Sequence, residues 1–545
     1  MPIVAPMASE EDAPKLEELQ HLFQLNRLVD DALEESLKAR ENLAQTFRRL
    51  FPRLLERTGA RAAAVTTRGE DLVEETYVGG SWGDRFPGDL LREHPAGLAS
   101  LPEGTLVSQA LDVAGVKVGT IGLLFEGDRS LRREAARLGK MVEVVAEELD
   151  TVLVSIHTAA EKHSLILQFN QLLSNPVFEV GMDQAVLSLA QRVRLPGFML
   201  VYRDAVQRGV LHYRVYRDGH LHQHSREQPF HELDELIARR GVALVRADNQ
   251  ELKALAGPSG RSVEAVLIAG TANVEPLGKI LVWSETDGFS AFTMDLIRVM
   301  ASTLTQRLLD YNRERIHLSQ FFSASVIDEL LKDPRYAQKY LTPRDEEVGI
   351  LFADINGFTR ICEVVLESPA RIGRFVDRWS DEAVRVLWRH GGVFDKMVGD
   401  CVIGLFGPPF FRASRVERAE AAVRAAREIQ QLTADMSSDP EVVRLSELVK
   451  LPGLGVAIGV NLAHTYCGIF GPNQQYTGFS TGMNSTARLQ SLGGFREILV
   501  MESVKAALQQ SQDPVLQGLE YGQLTETPVK NVAQPLRHHR LISRG

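Results

Sequence analysis

The stretch VGILFADINGFTR, residues 348–360, decides the fold of the C-terminal part of this chain. Its continuous apolar residues predict a buried strand, which ends at Asp354 and is followed by a glycine-containing turn. An acidic side chain at the end of a buried strand readily faces a cleft. The alternative is that Asp354 is only a turn or capping residue, a common use of aspartate.

A second segment, GGVFDKMVGDCVIGLFG (residues 391–407), predicts a β-hairpin with its turn at Gly399 and Asp400. Asp400 follows Asp354 by 400 − 354 = 46 residues, with two predicted helical stretches between them. Adjacent strands joined in this way can place two carboxylates at one edge of a sheet. The spacing therefore predicts that Asp354 and Asp400 lie close together.

A third segment, YTGFSTGMNSTARL (residues 476–489), leads into a predicted helix that carries Asn484 and Arg488. Residues four apart on a helix project from the same face. The two side chains can therefore act on one ligand. The alternative is a polar helix face that contacts only solvent.

Together FADINGFT, KMVGD and YTGFSTGMNSTARL resemble, in order and spacing, the three core motifs of class III adenylyl and guanylyl cyclases. The resemblance covers about residues 346–543. It implies an α+β, ferredoxin-like βαββαβ catalytic domain. It also implies two divalent ions per active site, Mg²⁺ or Mn²⁺, held by Asp354 and Asp400 with the Ile355 carbonyl as an auxiliary ligand.

The same resemblance assigns roles to residues that would contact the nucleotide. Asn484 would orient the ribose, and Arg488 would donate to the charge that develops on the α-phosphate. Lys396 and Thr477 would recognise the base, where Lys favours adenine; the alternative for Lys396 is a strand lysine whose ammonium group reaches solvent. Lys530 would hold the terminal phosphates.

The N-terminal region, residues 1–39, is predicted to be helical, within a glycine-free stretch from Leu16 to about Glu56. Four residues follow a 3-4-3 spacing that indicates one apolar stripe; they are Leu22, Leu25, Val29 and Ala32. The stripe either faces a partner helix or packs on the helix's own domain.

Two regions, residues 40–157 and 158–309, show the same pattern of β-like runs followed by a long helix. IGLLF at Ile121 and LGKILV at Leu277 are 277 − 121 = 156 residues apart, which indicates a tandem repeat. Both regions resemble GAF domains and would be α+β domains that bind a small molecule or only dimerise. The NKFDE signature of cyclic-nucleotide-binding members is not intact, because only Phe292 and Asp295 match its end.

A helical connector is predicted over residues 310–345, between the repeat and a catalytic domain at 346–545. LTQRLLDYNRERIHLSQFF (residues 304–322) indicates one continuous helix, and a second helix begins near Ser323 and is closed by Pro334. A rigid connector of this kind can transmit motion, which a flexible linker cannot.

Composition narrows the choice of partners and compartment. The net charge of −10 provides no basic stripe for nucleic acid. The three cysteines show no paired spacing, the first 15 residues lack the pattern of a signal peptide, and no apolar run approaches about 18 residues. A cytoplasmic protein without a membrane anchor is expected.

These expectations combine into an adenylate cyclase that converts ATP to 3′,5′-cyclic AMP and pyrophosphate. The resemblance implies a homodimer with active sites at its interface, regulated by the GAF-like domains. Bicarbonate is a further effector that the resemblance suggests through Thr477. The alternatives are a guanylate or relaxed-specificity cyclase, and a catalytically inactive dimeric signalling scaffold.

Overall fold

The structure is a computed structural model of the 545-residue chain. It describes residues 13–68, 73–113, 116–127, 134–193, 195–225, 231–246, 248–257, 261–268, 275–284, 288–363, 369–437, 453–529 and 535–542. The chain divides into two compact units, residues 1–171 and 172–545, which are described separately. No helix in these described ranges is long and apolar enough to cross a membrane.

The first unit contains a five-stranded antiparallel sheet and the helices that cover it. Its elements are α1 (Ala13–Ala39), α2 (Leu43–Thr58), β1 (Ala62–Arg68), β2 (Glu74–Gly80), α3 (Pro87–Glu93), β3 (Gly97–Leu101), β4 (Gly104–Val113) and β5 (Val116–Phe125). Helix α4 (Ala135–Leu173) follows and contains the boundary of the unit. The strand order is β2-β1-β5-β4-β3.

The N-terminal stretch forms two helices and not one. Arg40 adopts a positive φ of 55°, and Asn42 begins α2 with a capping box in which its side chain accepts from the Gln45 amide. The apolar stripe packs inward, because Leu25 and Val29 are fully buried in the core of this unit. Of the two interpretations of the stripe, packing on its own domain is confirmed.

The second unit begins with another five-stranded antiparallel sheet. Its elements are α5 (Phe178–Val193), β6 (Gly197–Arg203), β7 (Leu211–Arg217), β8 (His220–His224), α6 (Glu232–Arg240), α7 (Ala243–Arg246), α8 (Gln250–Ala256), β9 (Ser262–Leu267), β10 (Gly278–Trp283) and α9 (Ala291–Leu318). The strand order is β8-β7-β6-β10-β9.

The two sheets share a central order in which the last strand lies between the first strand and the fourth. The segments at Ile121 and Leu277, which define the 156-residue repeat, enter the equivalent strands β5 and β10. The sheets differ at one edge, because the third strand pairs with the fourth in the first sheet and with the second in the other. Their identity as GAF domains stays a prediction.

Helices α4 and α9 run through two of the predicted domain borders. The border at 157/158 lies inside α4, and the border at 309/310 lies inside α9. Neither helix contains proline, and their only glycine is Gly139 near the start of α4, so nothing in the backbone stops them there. Helix α9 ends at Leu318, four residues before the predicted end of the connector helix.

After α10 (Ala324–Leu330) and a π-helical turn (Ala337–Leu341), the chain enters a nine-stranded sheet. Its elements are β11 (Arg344–Ile355), α11 (Phe358–Ile361), α12 (Pro369–Arg389), β12 (Gly392–Val398), β13 (Cys401–Phe406), α13 (Arg415–Met436), β14 (Val456–Phe470), β15 (Gln475–Phe479), α14 (Thr481–Leu492), β16 (Ile498–Met501), α15 (Glu502–Leu508), α16 (Pro514–Gln517), β17 (Glu520–Tyr521), β18 (Thr525–Thr527) and β19 (Leu536–Ile542).

The core of this sheet is the predicted βαββαβ arrangement. Strands β14, β11, β13 and β12 lie side by side in that order and are antiparallel, which is the ferredoxin-like order 4-1-3-2. Leu351, Ala353 and Ile355 of β11 pack with α12 and α13 in one core. Because side chains alternate along a strand, Asp354 points to the opposite face.

Helix α14 covers that opposite face and lies unusually close to the sheet. A Cβ on Gly459 of β14 would stand 2.8 Å from the Gln490 amide nitrogen, so only glycine allows this approach. The helix begins at Ser480, whose side chain accepts from the Met483 amide. The fold thereby places α14 beside the end of β11.

Candidate active site

The two predicted metal-binding aspartates lie together at one edge of the sheet. Asp354 is the penultimate residue of β11, and Asp400 lies in the turn between β12 and β13. Strand β13 pairs with β11. An Asp400 carboxylate oxygen accepts from the Ile355 amide at 3.1 Å. Gln490 of α14 donates to Asp354 at 3.4 Å. Strand pairing thus brings together residues that are 46 positions apart in the sequence.

The electrostatics of this pair favour a cation. Burial, and then the negative charge of Asp354, raise the pKa of Asp400 to about 6. Burial also raises the pKa of Asp354, against the stabilising contacts of Asp400 and Gln490. The two carboxyls interact directly and therefore titrate as a pair. Two half-buried acids that resist ionising together gain most when a positive charge lies between them.

The residues present fit a hard divalent ion such as Mg²⁺ or Mn²⁺. Mg²⁺ is commonly bound by one or two carboxylates plus substrate phosphates, with water completing its shell. Within the described ranges no group of three His, Cys, Asp or Glu side chains forms a metal cluster. Asp354 and Asp400, with the Ile355 carbonyl beside them, would hold such ions, and nucleotide oxygens would supply the remaining ligands.

The two predicted base-recognition residues also meet. Lys396 of β12 donates from Nζ to Oγ1 of Thr477 in β15 at 2.9 Å, although the two are 81 positions apart. The Lys396 ammonium lies 5.5 Å from the ring centroid of Phe479. Lys396 is partly exposed, whereas Thr477 is buried. The pair thus joins a partly exposed ammonium to a hydroxyl of a buried residue.

Asp395, which the sequence-based predictions did not include, lies directly behind this pair. Its side chain is fully buried, and one carboxylate oxygen accepts from the Gly478 amide at 3.0 Å. The other oxygen is 3.4 Å from the Lys396 ammonium. Burial raises the pKa of Asp395, while Thr477, Lys396 and the Gly478 amide oppose that rise.

A β-bulge explains why Asp395 is buried. Phe394 pairs with Gly404 and Lys396 pairs with Ile403, so Asp395 is an additional residue without a cross-strand partner. A bulge re-aims side chains and breaks the strict alternation of strand faces. A two-residue period along GVFDKMV (residues 392–398) therefore could not have assigned the inward direction of Asp395. The only sequence signal was an acidic residue directly before Lys396 in a strand whose other residues are apolar or glycine.

Asn484 and Arg488 lie on the exposed surface of α14. Neither side chain makes a hydrogen bond or ion pair with another residue in the described part of the chain. Gln490, which contacts Asp354, is two positions after Arg488 and therefore about 200° away around the helix. The structure does not bring Asn484 and Arg488 to the carboxylates of their own chain. Lys530 lies outside the described residues.

The turn that follows α9 contacts both segments that carry the predicted base-recognition residues. The Phe321 carbonyl accepts from the Phe394 amide and from the Trp388 indole, each at 3.0 Å. The ring of Phe322 packs edge-to-face on Tyr476, with centroids 5.1 Å apart. Phe394 and Tyr476 are close neighbours in sequence of Lys396 and Thr477. Sequence reasoning placed the two phenylalanines in a helix and missed these contacts, which depend on the tertiary fold.

A buried ion pair connects the same helix to the sheet that precedes it. Arg315 of α9 lies 3.0 Å from the Asp204 carboxylate, and only 2% of each side chain is exposed. Asp204 follows β6 and also contacts His212 of β7 at 2.8 Å. Arg315 additionally pairs with Asp328 of α10. Burial acts to raise the pKa of Asp204, but these partners and nearby amides hold it well below its usual range.

Comparison with known proteins identifies the domain that carries this site. The family described as adenylate and guanylate cyclase catalytic domain matches residues 341–536. Uncharacterized protein Rv1319c of Mycobacterium tuberculosis is 27% identical over 183 residues, which cover 33% of this chain and 30% of that protein. Uncharacterized protein Mb1352c of Mycobacterium bovis is 27% identical over 196 residues, or 36% of this chain and 33% of that protein. The chain thus spans about a third of the length of these relatives.

Two solved structures are similar to part of this chain. The adenylyl cyclase CyaB from P. aeruginosa has 23% identity and a TM-score of 0.32, covering 38% of this chain and 98% of its own. The guanylate cyclase domain of RhGC from Catenaria anguillulae has 19% identity and a TM-score of 0.30, covering 37% and 100%. On the family match and the 4-1-3-2 sheet, the C-terminal part of this chain is a class III adenylyl/guanylyl cyclase catalytic domain.

Proposed function

We propose that the chain is an adenylate cyclase, which converts ATP to 3′,5′-cyclic AMP and pyrophosphate. The observation that carries the choice of ATP is the hydrogen-bonded pair of Lys396 and Thr477. An ammonium can donate to adenine N1, and a hydroxyl oxygen can accept from the adenine amino group. Guanine offers an acceptor where adenine offers its amino donor.

In this reaction the ribose 3′-oxygen forms a bond to the α-phosphorus while the bond from that phosphorus to the pyrophosphate oxygen breaks. Divalent ions, when bound by Asp354 and Asp400, lower the pKa of the 3′-hydroxyl and offset the charge of the phosphates. Arg488 donates to the α-phosphate oxygens as their charge grows, and Asn484 orients the ribose.

We infer that these groups act together across a homodimer interface. Arg488 and Asn484 lie on the side of α14 away from Gln490, the residue that contacts Asp354 in the same chain. Their exposure on α14 suits contact with a second copy. A two-fold axis would then form two equivalent sites, each with carboxylates from one chain and Arg488 from the other.

We further propose that the two N-terminal sheets are GAF-like sensory domains. Support comes from their shared central strand order and from the contacts that connect the second sheet, through α9, with the base-recognition segments. A small molecule that bound the second sheet would act on catalysis through α9 and the turn that follows it.

The test is product identification with purified protein, ATP or GTP, and Mg²⁺ or Mn²⁺. We expect cyclic AMP as the main product. The Lys396→Glu variant should lose ATP turnover more than GTP turnover, because a carboxylate can no longer donate to adenine N1. A ratio of ATP to GTP turnover that does not change in this variant removes Lys396 from base recognition.

A further inference from the structure

Asp395 occupies a position that the proposed reaction does not explain. A fully buried carboxylate is costly unless it is paired and hydrogen-bonded. One oxygen of Asp395 is satisfied by the Gly478 amide, but the other makes no hydrogen bond of good geometry within the described residues. That second oxygen faces the Lys396 ammonium and belongs to a group that also interacts with Thr477.

The hydrogen-bond inventory around Thr477 is restrictive. A hydroxyl has one proton to donate and two lone pairs to accept with, an ammonium only donates, and a carboxylate only accepts. Lys396 uses one lone pair of Thr477. The Thr477 proton cannot go to Lys396, which leaves the unsatisfied oxygen of Asp395 as the neighbouring acceptor that would take it. One lone pair of Thr477 would then remain, with which the hydroxyl can accept a hydrogen bond from a ligand.

From this geometry we propose that Asp395 is a positioning residue that fixes Thr477 as a hydrogen-bond acceptor and thereby selects adenine over guanine. The inference rests on the proposed function. An acceptor on the protein can bond to the 6-amino group of adenine, which is a donor. The 6-oxygen of guanine is itself an acceptor, so the two oxygens would repel each other. Asp395 itself does not touch the base and acts through Thr477.

The β-bulge and the surrounding glycine make this arrangement specific. Because the bulge turns Asp395 inward, the carboxylate can reach the backbone and side chains of β15. A Cβ on Gly478 would stand 2.8 Å from Thr465, so the backbone of β15 approaches its neighbours closely there. The carboxylate therefore has little freedom to move away from Thr477.

The test is the ratio of kcat/KM for ATP to kcat/KM for GTP, measured on the full chain with Mn²⁺. The Asp395→Asn variant keeps an oxygen for the Gly478 amide but can donate its amide proton to Thr477. Thr477 then becomes free to donate to guanine. We expect the ratio to fall about ten-fold, because the net contribution of one hydrogen bond corresponds to a factor of about that size.

Substitutions at Thr477 separate positioning from simple structural support. Thr477→Ser retains the hydroxyl and should retain the ratio, whereas Thr477→Val should lose most of it. In the Thr477→Val background, Asp395→Asn should cause no further change in the ratio, because its effect passes through the hydroxyl. If Asp395→Asn does not fold, equal ratios in the Ser and Val variants overturn the proposal, and a loss only in the Val variant supports it.

Cys467→Ala is the matched control, since Cys467 is buried and opposes Gly478 across the β14–β15 pair. It should lower stability without changing the ratio. A wild-type protein that makes no cyclic nucleotide, or that prefers GTP, overturns the proposed function. If the wild-type protein prefers ATP but the ATP-to-GTP ratio of Asp395→Asn lies within two-fold of the wild-type ratio, only the role of Asp395 is overturned. The same conclusion follows if Asp395→Asn and Cys467→Ala have the same ratio.

Discussion

Replacing Asp400 with asparagine should stabilise the metal-free protein while it abolishes catalysis. Burial and the charge of Asp354 raise the pKa of Asp400 from 3.8 to about 6. The folded state thus binds this proton more readily than the unfolded chain does. The stability that protonation contributes is fully present below pH 3.8 and is lost as the pH rises through about 6.

The size of the effect follows from the shift. About two pH units correspond to about 3 kcal/mol at 1.36 kcal/mol per unit. Asp400 is only half-buried, so solvent screening reduces the expected gain to about 1–2 kcal/mol. Asparagine has no charge to desolvate, and its amide oxygen can still accept from the Ile355 amide. A gain of that size raises the melting temperature of a domain of about 200 residues by about 2–8 °C.

The assay is calorimetric melting of the full chain at pH 7.5 with a chelator and then with Mn²⁺. The transition that shifts with Mn²⁺ in the wild type reports the catalytic domain. Asp400→Asn should raise that transition in chelator and should not respond to Mn²⁺. At pH 5 the gain should be about half as large, because wild-type Asp400 is then mostly protonated in the folded state.

Asp381→Asn is the control, because Asp381 is an exposed residue of α12 in a surface ion pair with Arg385. Its effect should stay within about 0.5 kcal/mol at both pH values. The reasoning is refuted if Asp400→Asn melts below the wild type in chelator, or if Mn²⁺ stabilises both proteins equally.

Two further predictions concern assembly and coupling. Mixing inactive Asp354→Ala and Arg488→Ala chains should restore about one quarter of wild-type activity. Half of randomly paired dimers are mixed, and each mixed dimer has one intact site out of two. If heterodimers form but show no activity, the sites are not shared between the two chains. Arg315→Met should destabilise the second unit by about 3–5 kcal/mol, since it leaves the buried Asp204 carboxylate without its cation. Adding Asp204→Asn should recover most of that loss in a denaturation experiment, and a strictly additive double variant contradicts the pairing.

The catalytic fold could be predicted from sequence because its signals are local. The buried strand ending at Asp354, the hairpin turn at Gly399 and the helix carrying Asn484 all formed where their patterns indicated. Pairing of β11 with β13 then brought Asp354 and Asp400 together. The order of strands in the sheet came from the family resemblance and not from periodicity.

The features that were missed depend on contacts between distant segments or on irregular backbone. The bulge at Asp395 breaks the two-residue period from which burial is inferred. The helix break near Arg40 uses a positive φ that an arginine rarely adopts, so composition did not indicate it. Helix α4 runs past the predicted border at 157/158, because that domain border was expected to coincide with the end of a helix.

The contacts made by the turn after α9 suggest which part of the proposed reaction the preceding sheet could influence. Phe321 bonds to the backbone of Phe394, and Phe322 packs on Tyr476, so both contacts reach the strands that carry the base-recognition pair. Asp354 and Asp400 lie at the other end of the β12–β13 hairpin and of β11, away from these two contacts. A shift of α9 would therefore change how the nucleotide base is held before it changed how the metal ions are held. The buried ion pair of Arg315 with Asp204 connects α9 to the preceding sheet. If this sheet has two arrangements, a ligand that binds one of them more tightly favours that arrangement and the position of α9 that goes with it. The difference between the two binding free energies limits how far the ligand can shift α9.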